Sequence, residues 1–199
     1  MTAEFKNVKI SLNFFFAVVI TLMLIYDKSN LIVLNLCAVI MHETGHLLCM
    51  LLMGEKPKEI KFTPFGLCIE RAPVSRLSYN QEIWVAFAGP LINILLFAVF
   101  LMIYLFSGNE AIVICSVINI VIALFNLLPC EPLDGSKMLQ NYLLKRHDER
   151  EVKKLLKYVS AIAIFPVAVA GFVILVRSGY NISLLLVSIY LIAFLIFKK

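Results

Sequence analysis

Apolar residues in this chain fall in long unbroken runs rather than in the one-faced or alternating patterns of a soluble domain. Six runs stand out, near residues 10–26, 31–53, 84–106, 111–129, 158–176 and 182–197. They approach the roughly 20 apolar residues that a helix needs to cross about 30 Å of hydrocarbon. The first is short and follows Lys6 and Lys9, as a secretory signal would, but it ends Met-Leu-Ile-Tyr-Asp-Lys with no small-residue cleavage site. An uncleaved first span is therefore expected. Two connections are too long to be turns. Residues 54–83 hold Glu59-Ile60-Lys61-Phe62-Thr63 and Leu67-Cys68-Ile69-Glu70 on either side of Pro64-Phe65-Gly66, a partly alternating pattern around a Pro/Gly break that predicts a β-hairpin. Residues Met138 to Tyr158 are charged and predict a surface helix. The pattern as a whole predicts an all-α membrane protein of six transmembrane helices, with a short membrane-associated β-hairpin between the second and third spans. Residues 1–199 are expected to form a single polytopic domain.

Composition agrees: 61% of residues are hydrophobic, 16% are charged and the mean hydropathy is +0.92, values that exclude an ordinary soluble domain. The net charge of +5 would suit a nucleic acid or an anionic surface, but its distribution fits membrane orientation better. Lys and Arg number two before the first span, then one, five, zero, seven and one in the five connections, and two after the last. Six spans place 16 of the 18 on one side and 2 on the other. Basic residues accumulate on the cytoplasmic side, so both termini and the second and fourth connections are expected there. The lipid bilayer is thus one partner and nucleic acid is not. Cys37, Cys49, Cys68, Cys115 and Cys130 form no C-x-x-C pair, are odd in number and read as small buried hydrophobes.

The second run carries His42-Glu43-Thr44-Gly45-His46. On a helix, His42 and His46 lie one turn apart on one face, where they can grip one metal ion. Glu43 lies about 100° round from His42, where a carboxylate can take a proton from activated water. In a soluble helix two packed histidines and a solvated glutamate would be an adequate account. Within lipid, the neighbouring Leu, Ile and Met residues offer such groups no partners. The second span runs from outside to inside, so His46 sits about 10 Å of helix rise from the cytoplasmic exit.

A catalytic zinc site needs a third protein ligand and an open position. Glu70, Glu82 and Glu110 are loop or border residues with solvated explanations, and His147 lies among charged neighbours. Asp134 follows the fourth span in Asn126-Leu127-Leu128-Pro129-Cys130-Glu131-Pro132-Leu133-Asp134-Gly135. That span also arrives at the cytoplasmic half, and its prolines stop regular helix. Taken alone, Asp134 reads as the cap of the next helix; beside an intramembrane H-E-x-x-H it reads as the missing ligand.

Together these segments resemble the site-2 proteases, intramembrane zinc metalloproteases whose pattern is H-E-x-x-H in one span and N-x-x-P-x-x-x-L-D-G in a later one. Ala88-Gly89-Pro90-Leu91-Ile92-Asn93 is similar to that family's G-P-x-x-N stretch, and the likeness extends over roughly 31–137. It is closest to the compact bacterial group resembling stage IV sporulation protein FB. Relatives there often carry a cystathionine-β-synthase-type domain, and other branches a PDZ domain; neither is expected in residues 1–199. The resemblance implies one Zn2+ held by His42, His46 and Asp134, with Glu43 as general base. It implies a substrate that is a membrane-tethered protein, cut within or near its span, and leaves room for a regulatory membrane partner. Asn126 would donate a hydrogen bond to substrate backbone or to the developing oxyanion, or else make an interhelical contact. Asn93 and Gly89-Pro90 are expected to be structural, giving a kink, close packing and one interhelical hydrogen bond. The other readings are a zinc transporter or non-proteolytic metal-binding membrane protein, and an H-E-x-x-H membrane protease with a glutamate as third ligand, against which Asp134-Gly135 argues.

Overall fold

Each main helix is punctuated by its own sequence. The computed structural model describes residues 2–5, 8–12, 14–27, 29–63, 66–70, 77–178 and 183–197. Helix α1 (Phe14–Tyr26) is short, and Asp27 then starts the next helix by accepting Ile32 N–H at 2.8 Å and Ser29 N–H at 3.0 Å. Helix α2 (Leu31–Leu52) carries the H-E-x-x-H segment and buries Ala38, His42, Gly45, His46 and Met50 along one face. Helix α3 (Tyr79–Ser107) opens with a capping box, in which Ser78 Oγ accepts Gln81 N–H at 3.4 Å and Gln81 Oε1 accepts Ser78 N–H at 2.8 Å. It closes at Gly108, whose φ of 65° suits a residue without Cβ. Asn109 then caps α4 (Glu110–Asn126) by accepting Ala111 N–H at 2.9 Å.

After an irregular stretch come α5 (Asp134–Leu143), α6 (Glu149–Ser178) and α7 (Ser183–Phe197). The expected surface helix over 138–158 is thus divided: α5 ends at Leu143, and the charged residues from Glu149 onward are the first turns of the fifth apolar helix. The buried stripe Val152, Leu156, Ser160 and Ile164 explains this, because its spacing of four runs unbroken across the boundary between charged and apolar surface.

Among the described residues, three helices are long and apolar enough to cross a membrane: Leu31–Leu52, Tyr79–Ser107 and Glu149–Ser178. Large apolar side chains face outward, with Phe106 88% and Phe165 71% exposed, as lipid-facing surface should be. Inside, Cys130, Ile164 and Leu191 form a core against which Phe125, Leu128, Leu133 and Tyr190 pack, so α6 and α7 close over the stretch between α4 and α5. Cys130, 1% exposed, is a packing group of this core.

Strands differ from the expected lone hairpin. β1 (Thr2–Phe5), β2 (Val8–Leu12), β3 (Glu59–Thr63) and β4 (Gly66–Glu70) form one sheet in that order. β1 pairs antiparallel with β2 (Thr2 opposite Ser11), β2 parallel with β3 (Lys9 opposite Glu59), and β3 antiparallel with β4 (Glu59 opposite Glu70). The first apolar run therefore begins as strand at residues 10–12 and becomes helix only from Phe14. A parallel pair needs a crossover connection, and α1 with α2 supplies it.

α2 and α3 approach closely at Gly45, where an added Cβ would lie 2.6 Å from Ala88 O and 2.8 Å from Ile92 Cγ1. Backbone cannot yield there as a side-chain tip could, so Gly45→Val should force the helices apart. The expected loss is about 1–3 kcal/mol of stability, read as a lowered thermal midpoint of the detergent-purified protein; an unchanged midpoint would contradict this packing.

Candidate metal centre

The two histidines of α2 point their Nε2 atoms at the same place, 3.1 Å apart. Asp134, the first residue of α5, completes the group: its Oδ2 lies 3.0 Å from His42 Nε2 and 3.1 Å from His46 Nε2. All three side chains are buried. Asp134 is no helix cap, since Leu133 occupies the cap position and makes no side-chain capping bond. The structure thus brings together three of the expected site residues from segments 88 positions apart.

What lies behind each histidine decides what faces the centre. His46 Nδ1 is 2.7 Å from the carbonyl oxygen of Val85 on α3, so it carries the proton and donates. His42 Nδ1 is 2.6 Å from Asn93 Oδ1, and the Asn93 amide donates to Ala38 O at 3.2 Å and to Asn119 Oδ1 at 2.8 Å. The oxygen of Asn93 is thereby turned toward His42, which must donate in its turn. Both imidazoles, when neutral, then present an unprotonated Nε2, and the carboxylate presents Oδ2. Among the described residues no donor stands between these three acceptors, an arrangement that invites a cation. The triangle is near zinc in size, a few tenths of an ångström tighter: with ligand bonds of about 2.0–2.2 Å, tetrahedral ligands lie about 3.3–3.6 Å apart. A zinc ion held by these three side chains would still need a fourth partner, such as water or substrate.

Close packing leaves this pocket no slack. An added Cβ at Gly89 of α3 would collide with the His46 ring and come within 2.8 Å of His42 Nε2. An added Cβ at Gly135 would collide with the carbonyls of Leu127 and Leu128, so this glycine lets the start of α5 tuck beneath the end of α4. The second oxygen of Asp134 accepts from Lys137 Nζ at 2.8 Å, which leaves Oδ2 for the histidines.

Glu43 lies beside His42 in a cleft of about 310 Å³ with apolar walls from Val39, Ile122, Phe125 and Tyr190. Asn126 lines the same cleft, and one of its amide hydrogens is given to Ile122 O at 3.0 Å. His147 is exposed and sits 3.6 Å from Glu151, far from any such grouping. Two contributors exceed their expected roles. Asn93, anticipated as one interhelical bond, holds His42, α2 backbone and α4 together; Gly89, anticipated as packing, forms the wall of the centre. Asn119 was not singled out at all, although an asparagine in an apolar helix, facing another across the bundle, is the signal that would have marked it.

Gly89→Ala should therefore abolish metal binding while the helices still assemble, because the methyl group would stand where the two Nε2 atoms meet. Metal content below a tenth of wild type, by elemental analysis of folded protein, is the expected result; full occupancy would refute the close approach.

Comparison with known proteins places the fold and the family. A solved site-2 protease from Methanocaldococcus jannaschii superposes with a TM-score of 0.69 at 24% identity, over 96% of this chain and 91% of that one, which shows a common fold. A curated zinc metalloprotease of the same organism is 26% identical over 80% of this chain and 46% of its own length. A Synechocystis sp. protein, whose name makes the same assignment provisionally, is 36% identical over 52% of this chain and 28% of its own length. The chain thus spans less than half the length of these curated relatives. The model of peptidase family M50 matches residues 108–167. The peptidase M50B-like model matches residues 15–129, more than half of the chain, and it is to this family that the chain belongs.

Proposed function

We propose that this protein is an intramembrane zinc metalloprotease that hydrolyses a peptide bond within or near the transmembrane segment of a membrane-tethered protein. One observation carries the reading: His42 Nε2, His46 Nε2 and Asp134 Oδ2 converge at 3.0–3.1 Å, beside the Glu43 carboxylate in a cleft. In this reading His42, His46 and Asp134 hold one Zn2+, which when bound supplies Lewis-acid polarisation of a carbonyl and hydroxide at neutral pH. The protein's own groups do the rest. Glu43 takes a proton at its carboxylate and returns it to the leaving amine. Asn126 keeps its second amide hydrogen for substrate backbone or the oxyanion. Asn93 and Val85 O hold the imidazoles in the one tautomer that faces the centre with lone pairs.

Six spans with cytoplasmic termini, in a bacterial cytoplasmic membrane, fit this reading. Three helices have the length, and α4 and α7, shorter and apolar, have 17 and 15 residues. α1 provides about 20 Å of rise, and its apolar run begins in β2 at Ile10. The parallel pairing of β2 with β3 supports an even number of crossings between them, because a chain that leaves the sheet through α1 returns to it through α2. β4 lies at the edge of that sheet. A substrate helix hides its peptide bonds in its own hydrogen bonds, and an unwound stretch added along such an edge would present them.

Glu43→Gln should retain zinc but lose about 10²- to 10⁴-fold in proteolysis, whereas His42→Ala and Asp134→Asn should lose zinc and activity together. Elemental analysis beside cleavage of a reconstituted membrane-anchored reporter separates the two outcomes; near wild-type turnover in zinc-loaded Glu43→Gln would remove Glu43 from its role. For topology, a cysteine placed at Lys153 should react with a membrane-impermeant thiol reagent only in opened cells. Labelling in intact cells would overturn both the orientation and the proposed depth of the centre.

A further inference from the structure

Asn119 sits in the middle of α4, only 3% exposed, with Ile118 and Ile120 as chain neighbours. Its own amide nitrogen donates to Cys115 O at 2.9 Å, one turn back, which turns its oxygen toward α3. That oxygen receives Asn93 Nδ2 at 2.8 Å. Asn93, fully buried, spends its amide hydrogens on Asn119 and Ala38 O, and so offers only oxygen to His42 Nδ1 at 2.6 Å. Each member of the row fixes which end of the next one points forward. We infer that Asn119 is a positioning residue that acts through Asn93 to fix the tautomer and ring plane of His42.

The reason is electrostatic. Without the acceptor at Asn119, the shorter of the two bonds to the Asn93 amide is gone, and Asn93 can turn its nitrogen toward His42. His42 would then carry its lone pair on Nδ1 and its proton on Nε2, aimed at His46 Nε2 and Asp134 Oδ2. A proton there excludes a cation. Loss of an outer partner of this kind typically weakens metal affinity about 10- to 100-fold.

The inference rests on the metal reading above, and the test separates the two. Zinc affinity of the purified full chain would be measured by competition with a chromophoric chelator, and the histidine tautomers by ¹⁵N spectra of histidine-labelled protein before zinc is added. Asn119→Leu, which conserves bulk, should weaken zinc about 10-fold or more and move the His42 proton from Nδ1 in part of the molecules. Asn119→Asp, which keeps an acceptor oxygen toward Asn93, should lose clearly less than the leucine variant. If the leucine variant does not assemble, Asn119→Ala removes the same acceptor with a strong helix former. On an Asn93→Ala background, removing Asn119 should cost no further affinity. Equal losses in the Asp and Leu variants would show a packing role and overturn the inference, as would additive losses with Asn93→Ala. A wild-type protein that binds no zinc but shows the Nδ1–H tautomer, lost in Asn119→Leu, would defeat the metal reading and leave the positioning role standing.

Discussion

Three lone pairs converge with no donor between them among the described residues, and much of the bundle is arranged around that fact. His42 and His46 have given their protons to Asn93 and Val85 on the far side, and Asp134 has its other oxygen on Lys137. In water such a trio would be hydrated and harmless. Buried among apolar helices it is repulsive unless a cation is shared among the three. An ion held by these three groups would therefore couple binding to assembly: the fold places the side chains, and the ion would offset the repulsion of placing them there.

Holding acceptors at 3 Å demands that helices approach more closely than large side chains allow. Gly45 against Ala88 brings α2 to α3, Gly89 clears the space in front of both Nε2 atoms, and Gly135 lets α5 meet the end of α4. Lipid offers little drive for such contacts, so small residues and buried amides supply them. Asn93 binds across to α2 and to α4 at once. The same asparagine thus serves as interhelical fastening and as the orienting partner of a ligand, which is economical in a chain with few polar residues to spare.

Much of this was legible in the sequence because membranes restrict what polar residues can mean. His42, Glu43, His46 and Asp134 are conspicuous in apolar surroundings, and the expected topology brought both segments toward one side of the membrane. Their meeting needed only that both reach the same side. Asn93 and Asn119 were harder to read, since their roles depend on which helices are neighbours, and no spacing within one helix reveals that. The sheet was half-read for a similar reason: the hairpin signal is local, whereas pairing of β2 with β3 joins residues 50 positions apart. The break within 138–158 was missed because charge alone does not show where a helix stops, while the buried spacing of four from Val152 does show where the next one runs.

The stretch between α4 and α5 poses the hardest requirement, because irregular backbone beside lipid must still satisfy its N–H groups. Counting them closes the account. Leu127 donates to Ala123 O at 3.0 Å, Leu128 to Phe125 O at 3.2 Å, Cys130 to Leu128 O at 2.8 Å and Leu133 to Cys130 O at 2.8 Å. Glu131 donates to Ser160 Oγ at 3.1 Å, a fully buried hydroxyl supplied by α6. The two remaining positions, Pro129 and Pro132, have no N–H to satisfy. Proline here does more than stop a helix: it removes the two donors that this path would otherwise leave unpaired. That is how a non-helical stretch, with its N–H groups partnered, brings Asp134 to the two histidines of a regular helix.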